Sequence, residues 1–172
     1  MKNLIKKILK EEAHKRLLRE QDDKPPMVWN KCSSDVKNHN GPILLMFGRD
    51  YCGPCKKLKK IMETESKFNE WAHDNNVVGL YLDCEVKHWT KDDPKGCRTK
   101  KCSDGRTYQE DLGDTTWKFG GAIGGSGMKR DDGRWQGVPK IFITDSSFEK
   151  QNKVKFNDYN IDNMVNSLNS AL

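Results

Sequence analysis

The sequence predicts an α/β domain, on three observations. Three continuous apolar runs, ILLMF at 43–47, VVGLYLD at 77–83 and KIFIT at 140–144, have the length and composition of strands buried on both faces. Between the first two, Leu58, Ile61, Met62, Phe68 and Trp71 recur at the three-and-four spacing of one helix face. A second such series, Met164, Val165 and Leu168, follows the third run.

Taken in order, Leu4, Ile5, Ile8, Leu9, Leu17 and Leu18 stand among lysines, arginines and glutamates and predict an amphipathic helix over about residues 2 to 20. Asp22, Asp23, Lys24, Pro25 and Pro26 break it, because proline and the residue before it resist helical geometry. Residues 1–26 are therefore read as a helix and linker, and 27–172 as the globular domain. Strand 43–47 runs straight into the CGPC stretch, where Pro54 suits the first turn of a helix reaching to about residue 73. After strand 77–83 comes a segment, 85–136, that fits no simple element. It contains Pro94 and the glycine-rich GGAIGGSG at 120–127, and it reads as a long irregular insertion. Val138 and Pro139 precede strand 140–144, and a final helix is expected over about 162–172.

At 172 residues the chain suits one domain with an appendage, and 34% hydrophobic against 33% charged residues implies that not every segment joins the core. The net charge of +6 is spread along the chain and forms no basic stripe with interleaved aromatics, which argues against nucleic-acid binding. The N-terminus lacks the apolar core of a secretory signal, and no run approaches the roughly 18 apolar residues of a membrane span. The expected compartment is the cytosol, where six cysteines are catalytic, metal-binding or free more often than a disulfide framework.

Cys52 and Cys55, in RDYCGPCKKL at 49–58, carry the strongest chemical signal. A thiol attacks a disulfide only as thiolate, which unpaired N–H groups and the positive end of a helix dipole stabilise. Cys52 stands where both are offered. Cys55, one turn deeper, can resolve a mixed disulfide formed at Cys52. The other readings are half of a zinc site, which needs two more ligands, and inert thiols. Cys84, His88, Cys97 and Cys102, spaced C-x3-H-x8-C-x4-C, offer a looser metal set. A Cys97 to Cys102 disulfide and unpaired thiols compete with it, and Cys32 reads as a free or semi-buried thiol. GGAIGGSGMKR does not have the GxxxxGK[ST] spacing of a phosphate loop, no GxGxxG follows a strand, and it reads as a flexible loop, placed to act as a lid or partner-selecting surface over the cysteine pair. Trp117, Phe119 and Trp135 read as anchors of that segment in preference to substrate contacts.

ILLMFGRDYCGPCKKL, VVGLYLD and GVPKIFI, in that order, resemble the thioredoxin superfamily over residues 27–84 and 137–172. The resemblance implies a thioredoxin-like fold, a central mixed sheet with helices on both faces. It implies that Cys52 attacks and Cys55 resolves, that Pro139 is the cis-proline beside them, and that Tyr51, Gly53, Pro54 and Val138 shape the substrate surface. Tyr51 stands where the family usually has tryptophan. Met46 and Gly79 align with the buried aspartate and the lysine that help move the proton of the resolving thiol. The implied function is reduction of protein disulfides, with no bound cofactor, a disulfide-containing protein as substrate and an unidentified electron donor. The alternative is a thioredoxin-fold module that organises a larger assembly through its N-terminal helix and insertion.

Overall fold

The computed structural model describes Lys6, Glu12 and residues 24–49, 52–83, 96–119, 139–156 and 158–172. The amphipathic helix expected over 2–20 lies outside these residues, save that Lys6 and Glu12 are helical. Along the described chain run β1 (Trp29–Asn30), a 3-10 turn (Ser33–Val36), β2 (Ile43–Phe47), α1 (Gly53–Thr64), α2 (Ser66–Asp74) and β3 (Val78–Leu82). They are followed by α3 (Tyr108–Lys118), β4 (Lys140–Thr144), β5 (Gln151–Val154) and α4 (Ile161–Asn169). No helix among the described residues is long and apolar enough to cross a membrane.

The five strands form one mixed sheet in the order β1-β3-β2-β4-β5. β1 and β2 flank β3 in parallel, whereas β4 is antiparallel to both β2 and β5. A parallel β2–β3 pair needs a crossover, and α1 with α2 supplies it. The central place of β2 explains why ILLMF is apolar at every position: all five residues are buried.

Side-chain alternation divides the core in two. Leu44, Met46, Tyr81, Ile141 and Ile143 face α1, α2 and α4, which bring Leu58, Met62, Phe68, Trp71, Met164 and Leu168. Ile43, Leu45, Phe47, Leu80, Leu82 and Phe142 face the other way, against Val36, Leu112, Phe119 and Phe148. On this second face Phe119 lies 5.0 Å from Phe142 and 5.8 Å from Phe47, centroid to centroid, in edge-to-face geometry.

Three expectations are corrected here. The helix expected to run to residue 73 is two helices, parted at Glu65, whose extended backbone (φ −84°, ψ 117°) ends α1 and begins α2. Thr64 and Ser66 flank the break, and such hydroxyl residues compete with helical hydrogen bonds: Thr64 Oγ1 donates to the Lys60 carbonyl at 2.9 Å. The new axis turns Phe68 and Trp71 into the core. Second, segment 85–136 is not wholly irregular, because it contains α3. A sheet with two apolar faces needs a layer on each, and α3 helps to cover the second. Its start is a capping box in which Thr107 accepts from the Glu110 N–H and the Glu110 carboxylate accepts from the Thr107 N–H.

The third correction concerns Cys32, which is no free thiol. It forms a disulfide with Cys102, 70 residues along the chain, so the alternative Cys97 to Cys102 bond is also overturned. Beside it the buried Asp111 carboxylate accepts from the Ser33 N–H at 2.8 Å, from the Ser33 hydroxyl and from Arg106 Nη2 at 2.8 Å. Arg106 also donates to Asp104 and Asp114, each at 2.7 Å. Bond and ion cluster together fasten residues 102–114 to the turn after β1.

Candidate redox site

Cys52 is the N-cap of α1 and Pro54 stands in its first turn, as the spacing required. Cys52 and Cys55 are joined by a disulfide with their Cα atoms 5.2 Å apart. The Cys55 N–H also donates to Cys52 Sγ at 3.1 Å, an interaction that a cap residue offers to the orphan donors of a helix start. Both cysteines are buried, Cys52 with 5% of its residue surface exposed and Cys55 with none. Gly53 and Pro54 form an exposed lip over them, and a side chain at Gly53 would meet open space.

Pro139 is half-buried and lines the same cleft as Pro54. Tyr51 and Val138 lie outside the described residues, as does the peptide bond before Pro139. The cleft, about 490 Å³, has an apolar floor of Pro54, Leu58, Ile141, Val154 and Phe156. Lys140, Lys153 and Lys155 border it along β4 and β5, with side chains that alternate to the Phe142 face of the sheet, and Asp158 and Tyr159 also line it. Lys57 approaches there, its Nζ 4.0 Å from the centre of the Tyr159 ring. The Lys140 ammonium, then burial, then the Lys155 ammonium hold Lys153 below the usual lysine range.

Behind the cysteines the surroundings are apolar. Met46 is fully buried and pairs in register with Tyr81 on one side and Ile141 on the other. Gly79 lies on the same face, and a Cβ there would come 2.5 Å from Trp29 Cε3 and 2.9 Å from Met27 Cε. A lysine cannot occupy that position without displacing the indole. The core cluster on the α1 face of the sheet is built of apolar side chains, with Tyr81 its one hydroxyl among the buried members.

The alternative metal set is not assembled in this state. Cys102 is bonded to Cys32, Cys97 is disulfide-bonded, and Cys84 and His88 lie outside the described residues. Cys32, Cys102 and Asp111 do bring their ligand atoms within 4.8 Å of one another, yet both sulfurs are bonded and Asp111 is engaged by Arg106 and Ser33. Of the aromatic residues in the insertion, Phe119 is a buried anchor as expected, whereas Trp117 is 86% exposed and anchors nothing. Trp135 and the glycine-rich stretch lie outside the described residues.

Sequence reasoning passed over the lysines that gather on β4 and β5 and the Arg106 cluster. Lys153 and Lys155 alternate around Val154, a pattern visible in the sequence, but only the strand pairing brings Lys140 beside them. A scan against protein-family models finds no match for the chain, and a search of curated proteins finds none. What the fold and site define is thus a class: an α/β protein with a CXXC-spaced cysteine pair at a helix start.

Proposed function

We propose that the protein is a thioredoxin-like thiol-disulfide oxidoreductase that reduces protein disulfides through Cys52 and Cys55. The observation that carries the reading is a bonded cysteine pair at a helix N-terminus, with Cys52 as the cap and Cys55 in the first turn. The strand order, with the crossover between β2 and β3 and the antiparallel β4 and β5, supports the thioredoxin-like assignment.

In the reduced protein the N-terminus of α1 favours the thiolate of Cys52. That thiolate attacks one sulfur of the substrate disulfide, and the other sulfur leaves as thiolate. Cys55 then loses its proton and attacks Cys52 Sγ. The second substrate sulfur departs, and the Cys52–Cys55 disulfide holds the two electrons' worth of oxidation. An external dithiol must restore the pair. With Met46 and Gly79 where a carboxylate and an amine would assist, the Cys55 proton leaves to water or to a substrate thiolate, so resolution is the slow step.

The test is the equilibrium potential of the pair in glutathione buffers, with mass spectrometry reporting which cysteines are joined. A reductant falls near about −270 mV, whereas oxidants and isomerases fall near −120 to −180 mV. Cys55→Ser should accumulate the mixed disulfide at Cys52, and Cys52→Ser should abolish exchange. Failure of the pair to cycle at any poise would overturn the reading and favour the assembly module, whose partner binding Cys52→Ser would spare. The apolar environment behind Cys55 is the observation that keeps this second reading in play.

Cytosolic localisation is likewise a proposal, tested by trapping thiols in cells. A reduced Cys32 and Cys102 supports it. A closed bond assigns the protein to an oxidising compartment, where structural disulfides persist.

A further inference from the structure

One dipeptide carries a reactivity that the redox site does not use. Asn40–Gly41 is the single Asn-Gly pair in the sequence, and it stands between the 3-10 turn and β2. Asn40 is exposed, and its side chain makes no hydrogen bond among the described residues. The Gly41 N–H donates to none of them either, although the His39 N–H before it donates to the Val36 carbonyl at 3.0 Å. A main-chain nitrogen without a partner thus adjoins a solvated carboxamide, and glycine has no side chain to obstruct their approach. The comparable pairs are held shut. In Asp104–Gly105 the Gly105 N–H donates to the Cys102 carbonyl at 3.0 Å, and the two Asp104 carboxylate oxygens accept from the Arg106 N–H at 3.1 Å and from Arg106 Nε at 2.7 Å. Asn166–Ser167 lies within α4, and at its end the Ser170 N–H donates to the Asn166 carbonyl at 3.1 Å while Asn169 Oδ1 accepts from Trp71 Nε1 at 2.8 Å.

We propose that Asn40 is a modification site, where the folded protein converts spontaneously to aspartate and isoaspartate and so parts the turn before β2 from the turn before β3. The inference goes beyond the oxidoreductase reading and does not depend on it. The Gly41 nitrogen gives its proton to hydroxide or buffer base and bonds to Asn40 Cγ, and the side-chain nitrogen leaves as ammonia. The product is a cyclic imide, which water opens. Attack of water at Cγ yields aspartate, whereas attack at the main-chain carbonyl yields isoaspartate, whose main chain runs through Cβ and Cγ. No electrons are exchanged, and water is the co-reactant. The place makes the product consequential, because Gly41 is wedged so closely that a Cβ on it would lie 2.1 Å from the Asn76 carbonyl oxygen. His39 Nε2 donates to that same oxygen at 2.7 Å, and the Val78 N–H donates to the Pro42 carbonyl at 3.3 Å. An added main-chain atom and a carboxylate directly before Gly41 cannot keep these contacts in register.

The test keeps the full chain, folded and oxidised, in mildly alkaline buffer and follows it by peptide mapping, with an isoaspartyl methyltransferase and its labelled methyl donor as the probe. Methyl acceptance should rise with time and with pH and map to position 40, with none at position 104. Asn40→Ser should lose that signal entirely while its urea midpoint, measured fresh, matches that of the unaltered protein, since the side chain removed makes no hydrogen bond. The aged protein should unfold at a lower urea concentration than the fresh one, and aged Asn40→Ser should show no such loss.

The chain unfolded in guanidinium gives the comparison. An Asn40 amide that persists in the folded protein over the time in which the unfolded chain loses it shows that the fold protects the site, and overturns the proposal. Isoaspartate that forms as fast at 104 as at 40 overturns it too, because the hydrogen bonds of Gly105 and Asp104 then protect nothing. A modified protein with an unchanged urea midpoint overturns the claim that the product parts the two turns.

Discussion

Gly79 ties the sheet to the redox site through a single missing side chain. The Trp29 indole lies over it, 6.2 Å from the Tyr81 ring, and Tyr81 in turn pairs in register with Met46, in the same core cluster as Leu58 of α1. Adding a methyl group drives it to 2.5 Å from the indole. Gly79→Ala should therefore destabilise the protein by about 1–3 kcal/mol, the usual cost of overfilling a packed interior. A urea titration checks this, through a lower midpoint at unchanged slope, and an unaltered midpoint would show that Trp29 is free to move aside. The residues around the cysteines were legible because each depends on its sequence neighbours: the cap Cys52, Pro54 and the buried Cys55 lie within four positions. Phe148 was not legible. It is buried against Phe119 in the left-handed backbone region (φ 62°), and no neighbour in the sequence announces such a conformation for a bulky residue.

α3 shows what an element owes to residues far away. Its capping box, Thr107 to Glu110, was readable as a helix start, but α3 lies in a stretch whose glycines and charges dominate any periodicity. Its necessity comes from the second face of the sheet, which the apolar runs imply without saying what covers it. The Cys32–Cys102 bond lay further out of reach, since pairing depends on two segments meeting in space and not on spacing. Because the bond closes a long loop between the turn after β1 and the segment leading to α3, Cys32→Ser with Cys102→Ser should lower stability by about 2–5 kcal/mol. Denaturant midpoints of the oxidised protein and the double variant measure this. Equal midpoints would mean that the Arg106 and Asp111 cluster alone holds the two segments.

At the scale of the whole molecule, acid should loosen the fold in a definable way. The Asp74 carboxyl is held below its ordinary range by Lys24, that of Asp104 by Arg106, and that of Glu110 by the Thr107 N–H. A depressed folded-state value means that the charged form favours folding. The contribution is complete above the ordinary carboxylate range, near 3.8 to 4.5, and is lost as pH falls through and below it. Urea midpoints should thus be level from about pH 7 to 5 and decline towards pH 2 to 3. A midpoint constant to pH 2 would show that these contacts do not distinguish the folded chain from the unfolded one. The general architecture was readable because three apolar runs and two helical stripes suffice to name an α/β sheet. The strand order supplied what they could not, since it brings Pro139, at the start of β4, to the same cleft as Pro54.

The long reach of the Cys32–Cys102 bond has a consequence for how the protein is made. During synthesis Cys32 emerges 70 residues before its partner, while Cys52 and Cys55 emerge in between. For that interval they are the nearest thiols on the nascent chain, so in oxidising surroundings the first bond open to Cys32 is a wrong one. The native bond then forms only when Cys102, on arriving, attacks Cys32 Sγ and displaces the wrong partner as thiolate. Correct pairing of Cys32 is therefore reached by exchange and not by first encounter.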